Sequence, residues 1–394
     1  MRRAIPALVV AVGALCLGLY LGGHPTSLPG KLRDVFVDEQ VSLQAQAADT
    51  IEDHYYRKVS RTKLENASIS GMVRSLHSRF SAYFAPVENK LFKESLGGQF
   101  SGVGMTVVKN KRGLRIASIF PASPAKRAGI EPGDLITRVD GKSIAGQSSE
   151  VASARIKGKP GTQVRLTIVS RGKTRVERVT RQTIKVPVVA GAMRRAAGRK
   201  LGVVRITSFT PGVHSDVRKQ VTRLQKRGAR GFVLDLRGNG GGLLDEAVLV
   251  SSVFIPDGTI VTTEGRTVSK KTYNATGDAL TRAPIVPLVD RGTASASEIV
   301  TAALQERLSS RVVGRRTVGK GVFGQLFPLS NGGALDLVIG NYYTPDGSSL
   351  NGKGIKPDVE LSRAANADPT LALDRALQVL AAQVQRRERS RPSR

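Results

Sequence analysis

Two segments of the sequence contain residues that could together cleave an acyl bond. In the first, Gly292 to Val300, small residues lead into a helical pattern, with Ser295 at the start of the helix. Backbone N–H groups there lack helical partners, so the serine could attack a carbonyl while those groups hold the oxyanion. The second segment, Thr317 to Gln325, places Lys320 between two glycines and before apolar residues, where an amine loses its proton more easily. We therefore predict a Ser295/Lys320 catalytic dyad.

Each residue of this pair also has an ordinary structural interpretation. A serine at a helix start is commonly an N-cap, and a lysine between glycines is commonly part of a solvated turn. The dyad hypothesis therefore depends on whether the rest of the chain contains elements that fit the same reaction.

A glycine-rich loop after a buried strand is one such element. The strand is predicted over Phe232 to Leu236, and Arg237 to Gly242 follow it. The loop fails the GxGxxG dinucleotide pattern because Leu243 takes the place of the last glycine. Its glycines can instead expose backbone N–H groups to an oxyanion, while Arg237 and Asn239 are suited to fixing the loop by hydrogen bonds.

Other cofactor chemistries are not supported. Gly314 to Lys320 resembles a P-loop, but Gly321 stands where Ser or Thr must hold magnesium. The single cysteine, Cys16, excludes an internal disulfide or a cysteine metal site, and the four histidines lack metal-ligand spacing. We expect no metal and no other cofactor.

The charge and the N-terminus predict where the protein acts. The formal net charge is +30, but the basic residues are dispersed, Trp is absent and aromatic residues make up 5%, so no specific nucleic-acid binding is expected. Two arginines precede the apolar stretch from Ala4 to Gly23, which predicts a signal peptide or an uncleaved membrane anchor, with the remaining chain outside the cytoplasm. Cleavage would make the protein secreted or periplasmic.

The region after Gly97 changes from helical to strand and turn patterns. Gly102, Val103, Gly104 and Met105 precede a strand edge, where successive backbone N–H groups could bind a terminal carboxylate. The stretch from Ser118 to Ile136, with its SPA and AGIEPGDLI segments, resembles a PDZ domain of bacterial type. This resemblance implies that a peptide C-terminus adds as a strand beside Val103 to Val107.

The segments DLRGNGGG, GTASASEI and GKG (residues 235–242, 292–299 and 319–321) resemble the signature motifs of C-terminal processing peptidases, also called tail-specific proteases. The resemblance continues through NYYTPDGSSLNGKGIKPDV, residues 341–359. It implies serine peptidases with a Ser/Lys dyad and a PDZ domain that selects substrate tails. It assigns the nucleophile to Ser295, the general base to Lys320 and the oxyanion donors to the Ala296 N–H and a glycine N–H in the run 240–242, for which we choose Gly241. Ser297 is the alternative nucleophile.

The sequence departs from the family at one position. The family usually has a glutamine four residues after the lysine, where it orients the amine. That position is Gly324 here, and the glutamine follows at Gln325. One step along a strand reverses the side chain, so either a bulge returns Gln325 to the catalytic side or the orienting residue is missing.

These patterns predict a mixed, multidomain α+β protein with a β-rich C-terminal part in its α/β peptidase core. The expected divisions are a signal or anchor (1–23), a linker (24–37), a helical segment (38–96), a PDZ domain (97–182), the peptidase core (183–364) and a helix with a basic, disordered tail from Arg386 (365–394).

The predicted function is an extracytoplasmic serine endopeptidase that processes or degrades proteins from or near their C-termini. Its partners would be polypeptides with accessible tails, the membrane through the N-terminal segment, and possible further copies of the chain. Gly324 keeps open an alternative, a catalytically impaired PDZ-containing adaptor. A trypsin-like protease with a PDZ domain is excluded, since only a helical segment precedes that domain.

Overall fold

The computed structural model describes residues 39–147 and 149–390. They divide into two compact units between Ala85 and Pro86. The first unit contains helices α1 (Glu39–His54) and α2 (Arg61–Ser75) and the short strand β1 (Ala82–Phe84). Helix α2 begins after Ser60, whose side chain accepts a hydrogen bond from the Lys63 N–H, as a serine N-cap does.

The second unit starts with helix α3 (Pro86–Leu96), followed by a β-rich domain. The main sheet of this domain has the order β3-β4-β5-β7-β8, with β6 paired to β5, and β2 and β9 form a separate two-stranded sheet. Strand β3 is an edge strand of this sheet. The bounds are β2 (Gln99–Gly102), β3 (Met105–Asn110), β4 (Gly113–Ile119), α4 (Pro124–Arg127), β5 (Leu135–Val139), β6 (Lys142–Ser143), α5 (Ser149–Ile156), β7 (Gln163–Ser170), β8 (Lys173–Thr180) and β9 (Gln182–Lys185).

A second sheet, of order β10-β11-β12-β15-β16-β19, forms the centre of the following region. All of its pairings are parallel except that of β10 with β11. The strands are β10 (Val189–Ala196), β11 (Arg199–Ile206), β12 (Phe232–Asp235), β15 (Ile285–Val289), β16 (Val313–Gly314) and β19 (Val359–Glu360).

Helices cover both faces of this sheet, which makes it a buried layer. Val204 and Leu234 pack in one core with residues of α6 (Val213–Lys226), α7 (Leu244–Ser252) and α8 (Ala296–Leu308). Val203 and Val233, one residue earlier, pack in a different core with α10 (Pro369–Arg389), which follows the short helix α9 (Arg363–Ala367). Successive side chains of a strand point to opposite faces of the sheet, so adjacent residues such as Val203 and Val204 pack in different cores. Because both faces are buried, these strands are continuous apolar runs in the sequence.

Four further strands form an antiparallel sheet beside this core, in the order β17-β18-β13-β14. They are β13 (Thr259–Glu264), β14 (Lys271–Asn274), β17 (Val322–Pro328) and β18 (Ala334–Tyr343). This arrangement confirms the predicted mixed fold class. In the chain, β13 and β14 lie between β12 and β15 of the α/β sheet, and β17 and β18 lie between β16 and β19.

Within the segment predicted to hold the C-terminal helix, α10 begins after Asp368, whose side chain accepts hydrogen bonds from the N–H groups of Thr370 and Leu371. The expectation of a disordered tail from Arg386 is wrong for its first four residues, since α10 continues to Arg389. Apolar residues on the inner face of α10, such as Leu380 and Val384, are buried, and this packing holds the last turns in place.

No helix within the described residues is long and apolar enough for a membrane span. The stretch from Ala4 to Gly23, for which an anchor or a signal peptide is predicted, lies outside those residues.

Candidate active site

Ser295 immediately precedes α8 and has an unusual backbone conformation. Its φ and ψ are 56° and −119°, a combination that is costly for a residue with a Cβ and that is concentrated at functional sites. The residue is 8% exposed. Gly241 lies against it, because a Cβ added at Gly241 would be 2.8 Å from Ser295 Cβ and 3.0 Å from the Ala296 nitrogen. The predicted nucleophile and the predicted oxyanion donors are therefore neighbours.

The glycine-rich loop is fixed by an ion pair at the end of β12. Arg237 Nε donates to Asp235 Oδ1 at 2.9 Å and Arg237 Nη2 donates to Oδ2 at 2.8 Å. This pairing raises the pKa of Arg237, against the effect of its burial. A third bond, from Arg237 Nη1 to the Pro369 carbonyl at 2.9 Å, connects the loop to α10.

Asn239 fixes the same loop by side-chain hydrogen bonds, as the sequence analysis expected, and its backbone carbonyl accepts from the Ala294 N–H in the nucleophile segment at 3.0 Å. Its side-chain amide donates to the Ile206 carbonyl at 3.0 Å, and its side-chain oxygen accepts from the Gly241 N–H at 2.9 Å. The Gly241 N–H is therefore engaged by Asn239 in this structure, and it must leave or share that bond to reach an oxyanion. Its assignment as a donor stays a prediction, as does that of Ala296.

Ser297 is placed for a structural role. It is fully buried, and its hydroxyl donates to the backbone carbonyl of Asn239 at 2.9 Å. Its hydroxyl therefore links α8 to the glycine-rich loop, whereas Ser295 lines an open cavity.

A residue that the sequence analysis missed connects the two halves of the predicted dyad. Glu298 is fully buried, and its carboxylate accepts from the N–H groups of Ser295 (2.8 Å), Gly319 (2.7 Å) and Lys320 (2.9 Å). The Thr317 hydroxyl donates to it as well. The spacing Ser295-x-x-Glu298 is the capping-box pattern, so the sequence did contain a signal for a local role of this glutamate.

Ser295 and Lys320 line one cavity of about 680 Å³, together with the glycine-rich loop. Lys320 is half-buried there. Other parts of the wall come from α3, α7 and the antiparallel sheet, and include Phe92, Ser95, Leu96, Leu244, Asp245, Tyr273, Val322, Phe323, Gly324, Leu326, Asp336 and Tyr342. A serine, a lysine and a loop of backbone donors around one cavity can support acyl transfer to the serine.

The structure does not bring Gln325 to this cavity. Gly324 and Leu326 line it and Gln325, between them, is exposed. The register between β17 and β18 does shift after Phe323, but the unpaired residue is Ile339 on β18, because Phe323 pairs with Gly340 and Gly324 with Val338. No residue is inserted in β17 at that point, so Gln325 keeps the orientation opposite to Gly324.

The four residues predicted to bind a peptide carboxylate lie together in the β-rich domain. Gly102, Val103, Gly104 and Met105 line a cavity of about 230 Å³ between β3 and α5, whose wall also includes Phe100, Thr106, Val107, Phe120, Ser153, Ile156 and Lys157. Because β3 is an edge strand, its free side could pair with an added peptide strand.

Comparison with known proteins agrees with both parts of this architecture. The family model described as "Peptidase family S41" matches residues 200–361, and that described as "PDZ domain" matches residues 101–180. The "Carboxy-terminal processing protease CtpA" of Bacillus subtilis (strain 168) is 35% identical over 355 residues, which are 90% of this chain and 75% of that protein. A "Probable CtpA-like serine protease" of Staphylococcus haemolyticus (strain JCSC1435) is 35% identical over 337 residues, 84% of this chain and 67% of that protein.

A solved structure, the photosystem II D1 C-terminal processing protease, matches with a TM-score of 0.51 and 27% identity over 87% of this chain and 98% of that one. The class of protein is therefore a PDZ-containing serine peptidase. The chain belongs to peptidase family S41, among its C-terminal processing proteases. The family resemblance, the PDZ domain and the enzyme class that the sequence predicted are confirmed.

Proposed function

We propose that the chain is a membrane-anchored, extracytoplasmic endopeptidase that cleaves proteins at or near their C-termini by a Ser295/Lys320 mechanism. The observation that carries this proposal is the shared cavity, in which the strained Ser295 and the half-buried Lys320 meet the glycine-rich loop. The Lys320 amine would take the proton of the Ser295 hydroxyl as its oxygen attacks the peptide carbonyl. Backbone N–H groups near Gly241 and Ala296 would stabilise the oxyanion.

The acyl-enzyme would then be hydrolysed in a second half-reaction. Lys320, protonated in the first step, would return its proton to the leaving amine and would next activate a water molecule for attack on the ester. In this proposed mechanism the catalytic groups are side chains and backbone of the chain itself, and water is the second substrate.

The PDZ domain would select substrates by their tails. Backbone N–H groups of the segment from Gly102 to Met105 would hold the terminal carboxylate, while the preceding residues pair with β3. The cavity below β3 has an apolar wall that includes Val103, Ile156 and Phe120, which favours tails with an apolar last residue.

The dyad is tested with the purified full chain and an unstructured protein that ends in apolar residues. Mass spectrometry of the fragments should show cleavage by the native chain, and Ser295→Ala and Lys320→Ala should each reduce the rate at least about 1,000-fold. A fluorophosphonate serine probe should label the native chain and not Ser295→Ala. Cleavage at the native rate by either alanine variant would refute the dyad. If the native chain is neither labelled by the probe nor able to cleave the substrate, the adaptor alternative is favoured.

The proposed location is tested separately. Cells that express the full chain should retain it in the membrane fraction, and a protease added outside the cytoplasmic membrane should degrade it. Protection from that protease in cells with intact cytoplasmic membranes would refute an extracytoplasmic location.

A further inference from the structure

Asp336 is placed on the side of the sheet that faces the catalytic cavity. Leu326 pairs with Asp336 and Gln325 pairs with Leu337 across strands β17 and β18. Side chains directly opposite each other in a sheet project from the same face. Asp336 therefore shares the face of Leu326 and Gly324, and all three line the cavity that contains Lys320.

Gly324 leaves the space that the Asp336 carboxylate occupies. A Cβ added at Gly324 would lie 2.5 Å from Asp336 Oδ1 and 3.1 Å from the Leu337 carbonyl oxygen. The φ angle of Gly324 is outside the left-handed region, so its backbone conformation does not require glycine. Space for the carboxylate is therefore the physical reason for a glycine at this position.

The pKa of Asp336 depends both on its burial and on the positive charge of Lys320. Burial raises the pKa of Asp336, while the positive charge of Lys320 lowers it and leaves a net increase. The other titratable groups on the cavity wall are Asp245, Tyr273 and Tyr342. Burial, and to a smaller extent Tyr273 and Asp245, raise the pKa of Tyr342 well above the usual value of a tyrosine. The ionisable groups around Lys320 are thus the carboxylates of Asp336 and Asp245 and two phenols on the cavity wall. The buried carboxylate of Glu298, which accepts from the Lys320 backbone N–H, is a further one.

We infer that Asp336 is the residue that positions the Lys320 amine, in the role that a glutamine four residues after the lysine has in the family. This inference rests on the proposed Ser295/Lys320 mechanism. Asp336 would accept a hydrogen bond from the amine, so that the nitrogen lone pair is directed to the Ser295 hydroxyl. Only one proton moves, from Ser295 Oγ to Lys320 Nζ, and Asp336 remains an acceptor.

A carboxylate and an amide in this role differ in charge, and this difference gives the test. The negative charge of Asp336 favours the protonated amine, which cannot act as a base, so activity should require a higher pH than it would beside an amide. Asp336→Asn keeps the size and one acceptor oxygen. It should move the acidic limb of the kcat/KM profile to lower pH by about one unit or more, with maximal kcat within about threefold of native.

Loss of the acceptor should have a different effect. Asp336→Ala should lower kcat at least about tenfold at all pH values, with KM little changed, because orientation of the base affects the chemical step. The double variant Gly324→Gln/Asp336→Ala places an amide in the emptied space. It should recover most of the lost kcat, with its acidic limb at lower pH than that of the native chain.

Matched measurements distinguish this inference from its alternatives. Asp374→Asn makes the same charge change at an exposed position of α10 and should leave the profile unchanged. An unshifted profile in Asp336→Asn, or loss of kcat in Gln325→Ala but not in Asp336→Ala, would overturn the role of Asp336. Cleavage at the native rate by Ser295→Ala or Lys320→Ala would instead overturn the dyad itself, whatever the Asp336 variants show.

Discussion

The backbone N–H groups of Ser295 and Lys320 donate to the same atom, Oε2 of Glu298, at 2.8 and 2.9 Å. The two residues are far apart in sequence, and one buried carboxylate sets the relative position of their backbones. Its other oxygen accepts from Gly319 at 2.7 Å and from the Thr317 hydroxyl. Glu298 is therefore a positioning residue for the proposed dyad, acting through the backbone of both members.

Glu298→Gln should decrease both activity and stability. The amide has one acceptor oxygen where the carboxylate has two, and its NH₂ group would face backbone donors. We expect the free energy of unfolding to decrease by about 2 kcal/mol or more and kcat to decrease about 100-fold through misplacement of the dyad. Denaturant unfolding and the peptidase assay measure the two effects. Glu388→Gln, on an exposed ion pair with Arg199, is the control, and native kcat in Glu298→Gln would contradict the positioning role.

Gly241→Ala should abolish peptidase activity. The φ angle of Gly241 is 106°, and an added Cβ would lie 2.8 Å from Ser295 Cβ and 2.9 Å from the Ala294 carbonyl oxygen. The backbone around the nucleophile would have to move, which should cost at least about 100-fold in kcat/KM. Gly240→Ala is the matched variant, because an added Cβ there meets nothing within 4 Å. A native rate in Gly241→Ala would show that the close approach of Gly241 to Ser295 is not needed for catalysis.

Ser297→Ala should remain an active peptidase. The Ser297 hydroxyl donates to the Asn239 carbonyl at 2.9 Å, so its loss should lower the free energy of unfolding by about 1 kcal/mol. The fluorophosphonate probe should still label the variant, whereas Ser295→Ala should not be labelled. Loss of labelling in a folded Ser297→Ala protein would make Ser297 the better candidate nucleophile.

Gly104→Ala should weaken the binding of substrate tails. Gly104 has a φ of 82°, and an added Cβ would lie 2.3 Å from Ser123 Cβ, so the carboxylate loop would have to shift. Titration with a fluorescent peptide that ends in an apolar residue should show at least about a tenfold loss of affinity, as expected for lost hydrogen bonds to a charged group.

Gly172→Ala provides the control for that experiment. Gly172 has the same φ of 82° in the β7–β8 turn, with nothing within 4 Å of an added Cβ. The Gly172→Ala substitution introduces similar backbone strain outside the carboxylate loop, so this variant should bind the peptide as the native chain does. Similar losses in both variants would indicate general destabilisation of the domain.

The sequence by itself determined the elements and the chemical groups of the protein. Apolar runs such as Phe232 to Leu236 predicted buried strands, and the segment 365–394 was predicted to contain a helix, because such elements depend on local periodicity. The types of residue at Ser295 and Lys320, and the glycine-rich loop, indicated acyl transfer. The predicted end of the last helix near Arg386 was wrong. That prediction used the run of basic residues, whereas the helix is extended by packing of α10, which a local charge pattern does not indicate.

The tertiary structure decided which of these groups meet. The pairing of Leu326 with Asp336, residues separated by a turn, puts a carboxylate in the cavity and keeps Gln325 out of it. The bonds of Glu298 to the Lys320 loop and of Asn239 to the Gly241 N–H also depend on the folded chain. These features are the strand register, the long-range hydrogen bonds and the space left by Gly324. They arise from contacts between distant segments, so local sequence patterns do not predict them.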